Sequence, residues 1–281
     1  MMKKIGFIDY YLDEWHANNY PQWIREASGG DMEVAYAYGQ IPSPITGMTT
    51  EQWCEKFGVT HCETIEEVIE KSDYLIVLSP DNCEMHEALC RLPLASGKPT
   101  YVDKTFAPDL ATARRIFAVA EENNTPCYST SALRFASEYG NVDRKQITAI
   151  NCWGPGNFEI YSIHQLEPLM MLMEEPAEKV LFQESENWYQ LLIAFPDGRR
   201  GSISGYRTGS PHAMNLAGKE TSRLIMVQPG YFDRFITNMV RFFQTGEIPV
   251  SHEETLRIMA AREAGVKAQA CPGQWVAVES V

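Results

Sequence analysis

The first 130 residues or so alternate between short apolar runs and helical patterns, and nothing else in the chain constrains its fold as much. Ile5-Gly6-Phe7-Ile8 reads as a buried strand, and residues 18–27, with Tyr20, Trp23, Ile24 and Ala27 at helical spacing, as the helix after it. Residues 33–38 make a second strand closed by Gly39, a short helix starts at Thr49 or Thr50, and residues 59–62 supply a third strand. Thr64 and Glu67 have the spacing of a capping box at the head of a helix over 64–71. Tyr74-Leu75-Ile76-Val77-Leu78 is the clearest buried strand, stopped by Ser79-Pro80-Asp81. A helix over 82–96 ended by Gly97, a strand to Val102, a helix over 109–122 and a strand around Cys127-Tyr128 follow. Strands alternating with helices in this way mean βαβ units and a parallel sheet, so residues 1–130 form a doubly wound, Rossmann-like α/β domain.

The period then changes. Residues 145–153 alternate as a strand does, and 162–173 form an apolar helix. Residues 188–195 and 201–206 flank Pro196-Asp197-Gly198, and an Asp-Gly pair between such runs signals a hairpin. One more strand covers 224–227, and helices cover 232–244 and 253–270. Residues 131–281 therefore read as an α+β domain with a mostly antiparallel sheet, its last helices able to pack back on the first domain. A length of 281 residues suits two such domains.

Charge and cysteine content narrow the partners. A net charge of −13 argues against nucleic acid and anionic membranes, because the overall field repels phosphates. No run approaches the roughly 18 apolar residues of a membrane span, and the apolar run after Met1-Met2-Lys3-Lys4 is too short for a secretory signal. The 7 cysteines include no CxxC pair, which fits reduced thiols in the cytoplasm.

In an open parallel sheet, ligands bind beyond the carboxyl ends of the strands. Asp103-Lys104-Thr105 stands at such an end, where a lysine can anchor an oxygenated ligand; the plain alternative is a solvated loop lysine. Around it several features run in order: a strand ending in Ser79-Pro80, then His86, Ala88, Gly97-Lys98, Asp103-Lys104-Thr105, Arg134-Phe135 and His164-x-x-Glu167. This order resembles the glucose–fructose oxidoreductase, inositol dehydrogenase and MocA-like (Gfo/Idh/MocA) family of two-domain oxidoreductases, and the likeness runs over nearly the whole chain. The resemblance implies NAD or NADP as cofactor, a small carbohydrate-like substrate in an inter-domain cleft, and a homo-oligomer, dimer or tetramer. By the same resemblance Lys104 and His164 are catalytic, and Asp103, Arg134 and Glu167 bind substrate. Gly6, Ile8, Ser79, Pro80, His86 and again Lys104 would touch the cofactor. Histidine suits the acid–base task because its unperturbed pKa lies near 6.5.

The departures from the family pattern are specific. Where the family has an aspartate four residues before the histidine, this chain has Ile160, with Glu159 one residue away and directed elsewhere. Asp103 replaces a glutamate, Thr105 a proline, and two extra residues separate Pro80 from His86. The largest departure is the first turn, where a dinucleotide site needs GxGxxG so that backbone amides can approach the diphosphate. After Gly6 the chain reads Phe7-Ile8-Asp9-Tyr10-Tyr11-Leu12-Asp13-Glu14-Trp15-His16, with no further glycine and three carboxylates. The second strand also ends in Tyr38-Gly39-Gln40, without an acid for the ribose hydroxyls. Asp9, Asp13, Glu14 and His16 can be read as metal ligands at loose spacing, or more simply as an acidic helix start that suits the macrodipole; no metal is expected. Two functions stay open: an NAD(P)-dependent oxidoreductase acting on a sugar, polyol or related hydroxy compound, and a cofactor-free relative that is a ligand-binding or regulatory module or a non-redox enzyme.

Overall fold

Lys3–Asp9 forms β1, and its last five residues are all buried, as a strand inside a parallel sheet requires. The computed structural model describes residues 2–281. Its packing separates two units: the chain up to Thr130 together with Asp233–His252, and Ser131–Phe232 together with Glu253–Val281.

In the first unit β1 is followed by α1 (Trp15–Ala27), β2 (Met32–Gly39), α2 (Thr50–Phe57), β3 (Thr60–His61), α3 (Ile65–Lys71), β4 (Tyr74–Val77), α4 (His86–Ala95), β5 (Thr100–Val102), α5 (Leu110–Glu122) and β6 (Cys127–Ser129). The strands pair in parallel in the order β3-β2-β1-β4-β5-β6. That is the doubly wound order, with its topological switch point between β1 and β4. Helix α1 starts earlier than its apolar spacing predicts because Glu14 caps it. The predicted helix over 82–96 is broken into a 3₁₀ turn, Cys83–Met85, and α4. Thr64 accepts from the Glu67 amide at 3.2 Å, but the Glu67 carboxylate reaches back to the Glu63 amide and not to Thr64, so that box is half formed. The reciprocal box belongs to Thr49 and Gln52 instead.

The second unit holds β7 (Ile147–Pro155), α6 (Phe158–Met173), β8 (Lys179–Ser185), β9 (Trp188–Ala194), β10 (Arg200–Tyr206), β11 (Ala213–Gly218) and β12 (Ser222–Met226). After these come α7 (Tyr231–Thr245), α8 (His252–Gln269) and β13 (Trp275–Ala277). The sheet order is β12-β11-β7-β10-β9-β8-β13, antiparallel throughout except where β10 runs parallel to β7. The hairpin signal at Asp197-Gly198 joins β9 to β10 as expected, with Gly198 at φ 89°. Three strands, β8, β11 and β13, lie where no strand is predicted.

Helix α6 covers this sheet. Its Phe158 meets Phe182 and Tyr189 edge-on at 5.4 Å, and Gly205 of β10 leaves space that the Tyr189 ring fills. Gly265 of α8 lets Phe158 pack against that helix. The part of α7 that belongs to the first unit sets Phe235 against Tyr20 and Tyr101, Phe242 against Tyr128 and Phe243 against Tyr74. An aromatic layer thus lies over that sheet.

Candidate functional site

The end of β5 is built around a buried carboxylate. Asp103 Oδ1 accepts from the Lys104 amide at 2.8 Å and lies 3.1 Å from the Tyr101 hydroxyl, while Oδ2 meets His16 Nδ1. Burial pushes the Asp103 pKa up, but the charge and hydrogen bond of His16, with Lys104, outweigh it and hold the carboxyl below its ordinary range. His16 is itself fixed by stacking on Tyr20, 5.1 Å between centroids. Lys104 is only 7% exposed, so it is not the solvated loop lysine of the plain reading. Its Nζ donates to the Pro80 carbonyl at 3.2 Å, with the Asp81 carboxylate 3.9 Å away. The Lys104–Thr105 peptide is cis.

The other first-unit residues named from the sequence have packing roles of their own. A Cβ on Gly6 would lie 2.3 Å from Val68 and 2.5 Å from Ser72, so this glycine admits α3 to the sheet. Ile8 is fully buried. Ser79 takes φ 85° and donates to the Asn82 carbonyl at 3.1 Å, which shapes the turn that carries Pro80. His86 is buried with both ring nitrogens facing carbonyls, Leu78 at 2.7 Å and Phe106 at 2.9 Å. Burial lowers its pKa while those carbonyls pull it back up. Its ring ties the end of β4 to the chain after β5.

The turn between β1 and α1 is filled from within. Glu14 is the N-cap, and its carboxylate accepts from the His16 amide at 2.7 Å and from the Ala17 amide. Those are the donors that the start of α1 would offer to an anion. Tyr11 and Leu12 are buried in the same turn. Asp9, at the end of β1, is 1% exposed and neither of its oxygens reaches a hydrogen-bond partner in good geometry. Burial, then the charge of Glu14, push its pKa well above the carboxylate range, against a weaker pull from the Tyr10 and Tyr11 amides. Burial likewise pushes Glu14 up to about 7, opposed by His16.

A diphosphate does not fit this turn. Its amides are taken, no glycine clears the approach, and two buried carboxyl groups already repel each other there. At the end of β2, Thr50 occupies the space beside Gly39 and donates to its carbonyl at 3.1 Å, so a threonine fills the place next to that strand end. Asp13 is occupied by Asn18 at 3.0 Å and Thr46 at 2.6 Å. Among the described residues no group of three or more His, Cys, Asp or Glu side chains is arranged to hold a metal ion.

The second unit supplies a different chemistry. His164 sits on α6 with Nδ1 2.7 Å from the hydroxyl of the buried Ser131, which fixes the ring. Arg134 pairs with Glu167 at 3.4 Å and with Glu254 at 2.6 Å, so the two residues expected to bind substrate engage each other. Glu159 accepts from Gln269 at 2.8 Å and does not replace the aspartate missing at Ile160. A residue that no sequence signal marks, His212, has its ring centroid 6.1 Å from that of His164. Burial lowers its pKa to about 4, so it is neutral at physiological pH.

The model of the oxidoreductase family with an NAD-binding Rossmann fold (Gfo/Idh/MocA) matches residues 43–131. That span includes Lys104 and leaves out β1, the turn and β2. No curated protein sequence matches the chain. In fold the chain is similar to myo-inositol 2-dehydrogenase from Lactobacillus plantarum, with TM-score 0.81, 13% identity, and 99% of this chain and 100% of that one covered. It is equally similar to GenD2 from gentamicin A biosynthesis in complex with NAD, with TM-score 0.81, 12% identity, and 100% and 98% covered. An Agrobacterium radiobacter oxidoreductase in complex with NAD+, L-tartaric acid and magnesium gives TM-score 0.78 at 12% identity, with 99% and 98% covered. No helix among the described residues is long and apolar enough to cross a membrane. Residues 43–131 thus match the Gfo/Idh/MocA family model, and the whole chain shares the fold of the dehydrogenases named above.

Proposed function

We propose that the chain is an oxidoreductase acting on a sugar, polyol or related hydroxy compound, with NAD or NADP as the cofactor of its class but not seated on the start of α1. The observation that carries this reading is His164, whose ring is oriented by the buried Ser131 hydroxyl as an acid–base residue must be. In this reading His164 exchanges the proton of the reacting hydroxyl. Ser131 holds the ring plane and tautomer. Lys104 is the first unit's candidate catalytic residue, with its ammonium able to exchange the Pro80 carbonyl it now meets for a ligand oxygen. Arg134, Glu167 and Asp103 act on the site through the residues they position. Assembly into a dimer or tetramer through the second unit's sheet belongs to the same reading and rests on analogy of fold.

One observation favours a second reading, a cofactor-free relative that binds or converts a sugar-like ligand without redox chemistry: Glu14 already occupies the helix start that a diphosphate would use. Calorimetric titration with NAD, NADH, NADP and NADPH separates the two. The first reading expects saturable heat with at least one of them. No heat at millimolar cofactor removes it and leaves the second. Once a substrate is found, Lys104→Ala is expected to abolish turnover; unchanged turnover takes Lys104 out of the mechanism.

A further inference from the structure

The segment Trp153-Gly154-Pro155-Gly156 at the end of β7 carries two glycines, and each makes room for one ring beside His164. A Cβ on Gly154 would lie 2.6 Å from Nδ1 of His212, and a Cβ on Gly156, at φ 89°, would lie 2.3 Å from the Tyr161 ring. The two rings so seated stand 6.1 Å and 5.8 Å from the His164 centroid, each edge to face. A ring placed by a glycine on one side and aimed edge-on at the acid–base histidine is more than surface filling.

His212 also has an unexplained polar atom. Its Nδ1 is buried without a hydrogen-bond partner, and so is Nε2 of the buried Gln165. Both approach the same point, 2.6 Å and 3.3 Å from where a Gly154 Cβ would stand. Walls formed by Leu133, Cys152, Trp153 and Pro168 leave no room there for a water to bridge them. The amide of Gln165 is not free to flip, because its Oε1 accepts from the Ser204 amide at 3.1 Å, which makes Nε2 a donor. A buried donor and a buried imidazole nitrogen side by side are complementary, and leaving both unmade is unfavourable. When the Gln165 amide donates to Nδ1, the proton of the neutral His212 ring sits on Nε2.

We propose that His212 is a substrate-binding residue that donates from Nε2 to an oxygen on the carbon next to the one His164 serves, with Gln165 as its positioning residue. The ligand class is a compound with oxygens on neighbouring carbons, a vicinal diol or the hydroxycarbonyl derived from it. Two imidazoles at this spacing can each reach, at about 2.7–3.2 Å, one of two adjacent oxygens, whereas a single hydroxyl engages only one ring. This rests on the reading of His164 as the acid–base residue.

The test uses the full chain, with the histidine Cε1–H signals assigned by single substitutions and followed by NMR during titration with myo-inositol and with cyclohexanol. Myo-inositol is expected to move the His164 and His212 signals with one dissociation constant, and cyclohexanol to bind about tenfold more weakly. In His212→Phe the ring volume is kept, and affinity for myo-inositol read at His164 should fall about tenfold. Gln165→Leu should give a similar loss with the His212 signal still present. If the unfolding midpoint shows that His212→Phe does not fold, Gly154→Ala, which displaces the ring, takes its place. Equal affinity in wild type and in His212→Phe (or in Gly154→Ala where that variant takes its place), or equal affinity for cyclohexanol, overturns the proposal and leaves His164 as the binding residue. A His164 signal unmoved by myo-inositol overturns the reading of His164 itself, and the proposal with it.

Discussion

The β1–α1 turn of the first unit and the His164 region of the second handle buried ions in opposite ways. In the second unit, charge is paired: Arg134 lies between Glu167 and Glu254, and His164 is held by Ser131. In the first unit, carboxyl groups crowd: Asp9 lacks a well-formed hydrogen bond, Glu14 is spent on the helix start, and Asp103 alone has a cationic set around it. Burial without a partner raises a carboxyl's pKa, and a cationic partner lowers it. The difference teaches that the second unit holds its buried ions in partnered positions, whereas the first holds two carboxyl groups in protonation states set by burial. At the start of α1 the anion that meets the free amides is the chain's own Glu14.

The largest expected effect tests the paired side. Arg134→Ala removes the cation shared by Glu167 and Glu254, and Glu167 is only 3% exposed. Breaking a buried pair from one side costs about 3–5 kcal/mol, and urea unfolding should show a loss of that order. A loss below about 1 kcal/mol, as for surface pairs, would mean that the arginine is not structural, and would return it to the substrate-binding role the sequence suggests.

The crowded side predicts the opposite sign. Asp9→Asn removes a buried carboxyl with no well-formed partner and two repulsive neighbours, Glu14 and Asp103. Near pH 8 it should raise stability by about 1 kcal/mol, read as a higher thermal midpoint. A lower midpoint would show that Asp9 holds a cation or a proton that the fold requires, and the contrast between the two units would fail.

Much of this fold is legible in the sequence because periodicity and turn chemistry are local. The β1–β6 alternation and the Asp197-Gly198 hairpin follow from neighbouring residues alone. What escapes has identifiable causes. Strand β11, Ala213–Gly218, is rich in Ala and Gly, which have little strand preference of their own, and it forms because β7 and β12 flank it. Strand β13 is three residues long and, among the described residues, pairs with β8 alone. The missing glycines of the first turn are plain in the sequence, but Glu14 reaching back to two amides is a matter of side-chain direction. His212 carries no signal at all, since its place depends on Gly154, a residue far from it in the chain.

The smallest effects are slopes with pH, and they distinguish the two regions most cleanly because their signs differ. Glu14 has an ordinary pKa of 4.5 and is pushed by burial to about 7 in the folded chain. Between those values the folded state keeps a proton that the unfolded state has released, so this group makes stability fall as pH rises. Asp9, also raised by burial, acts in the same direction. His212 has an ordinary value of 6.5 and is lowered by burial to about 4. Between pH 4 and 6.5 the unfolded chain holds a proton that the folded chain does not, so this group makes stability rise with pH. Each slope is bounded at about 1.4 kcal/mol per pH unit for one proton, and that of His212 is the shallower because its ring is partly exposed. Urea unfolding at pH 5, 5.5 and 6 should therefore show that Glu14→Gln makes the fall of stability with pH shallower, while His212→Phe makes it steeper. Two variants that move the slope in the same direction would mean that Glu14 and His212 do not oppose each other in the folded chain.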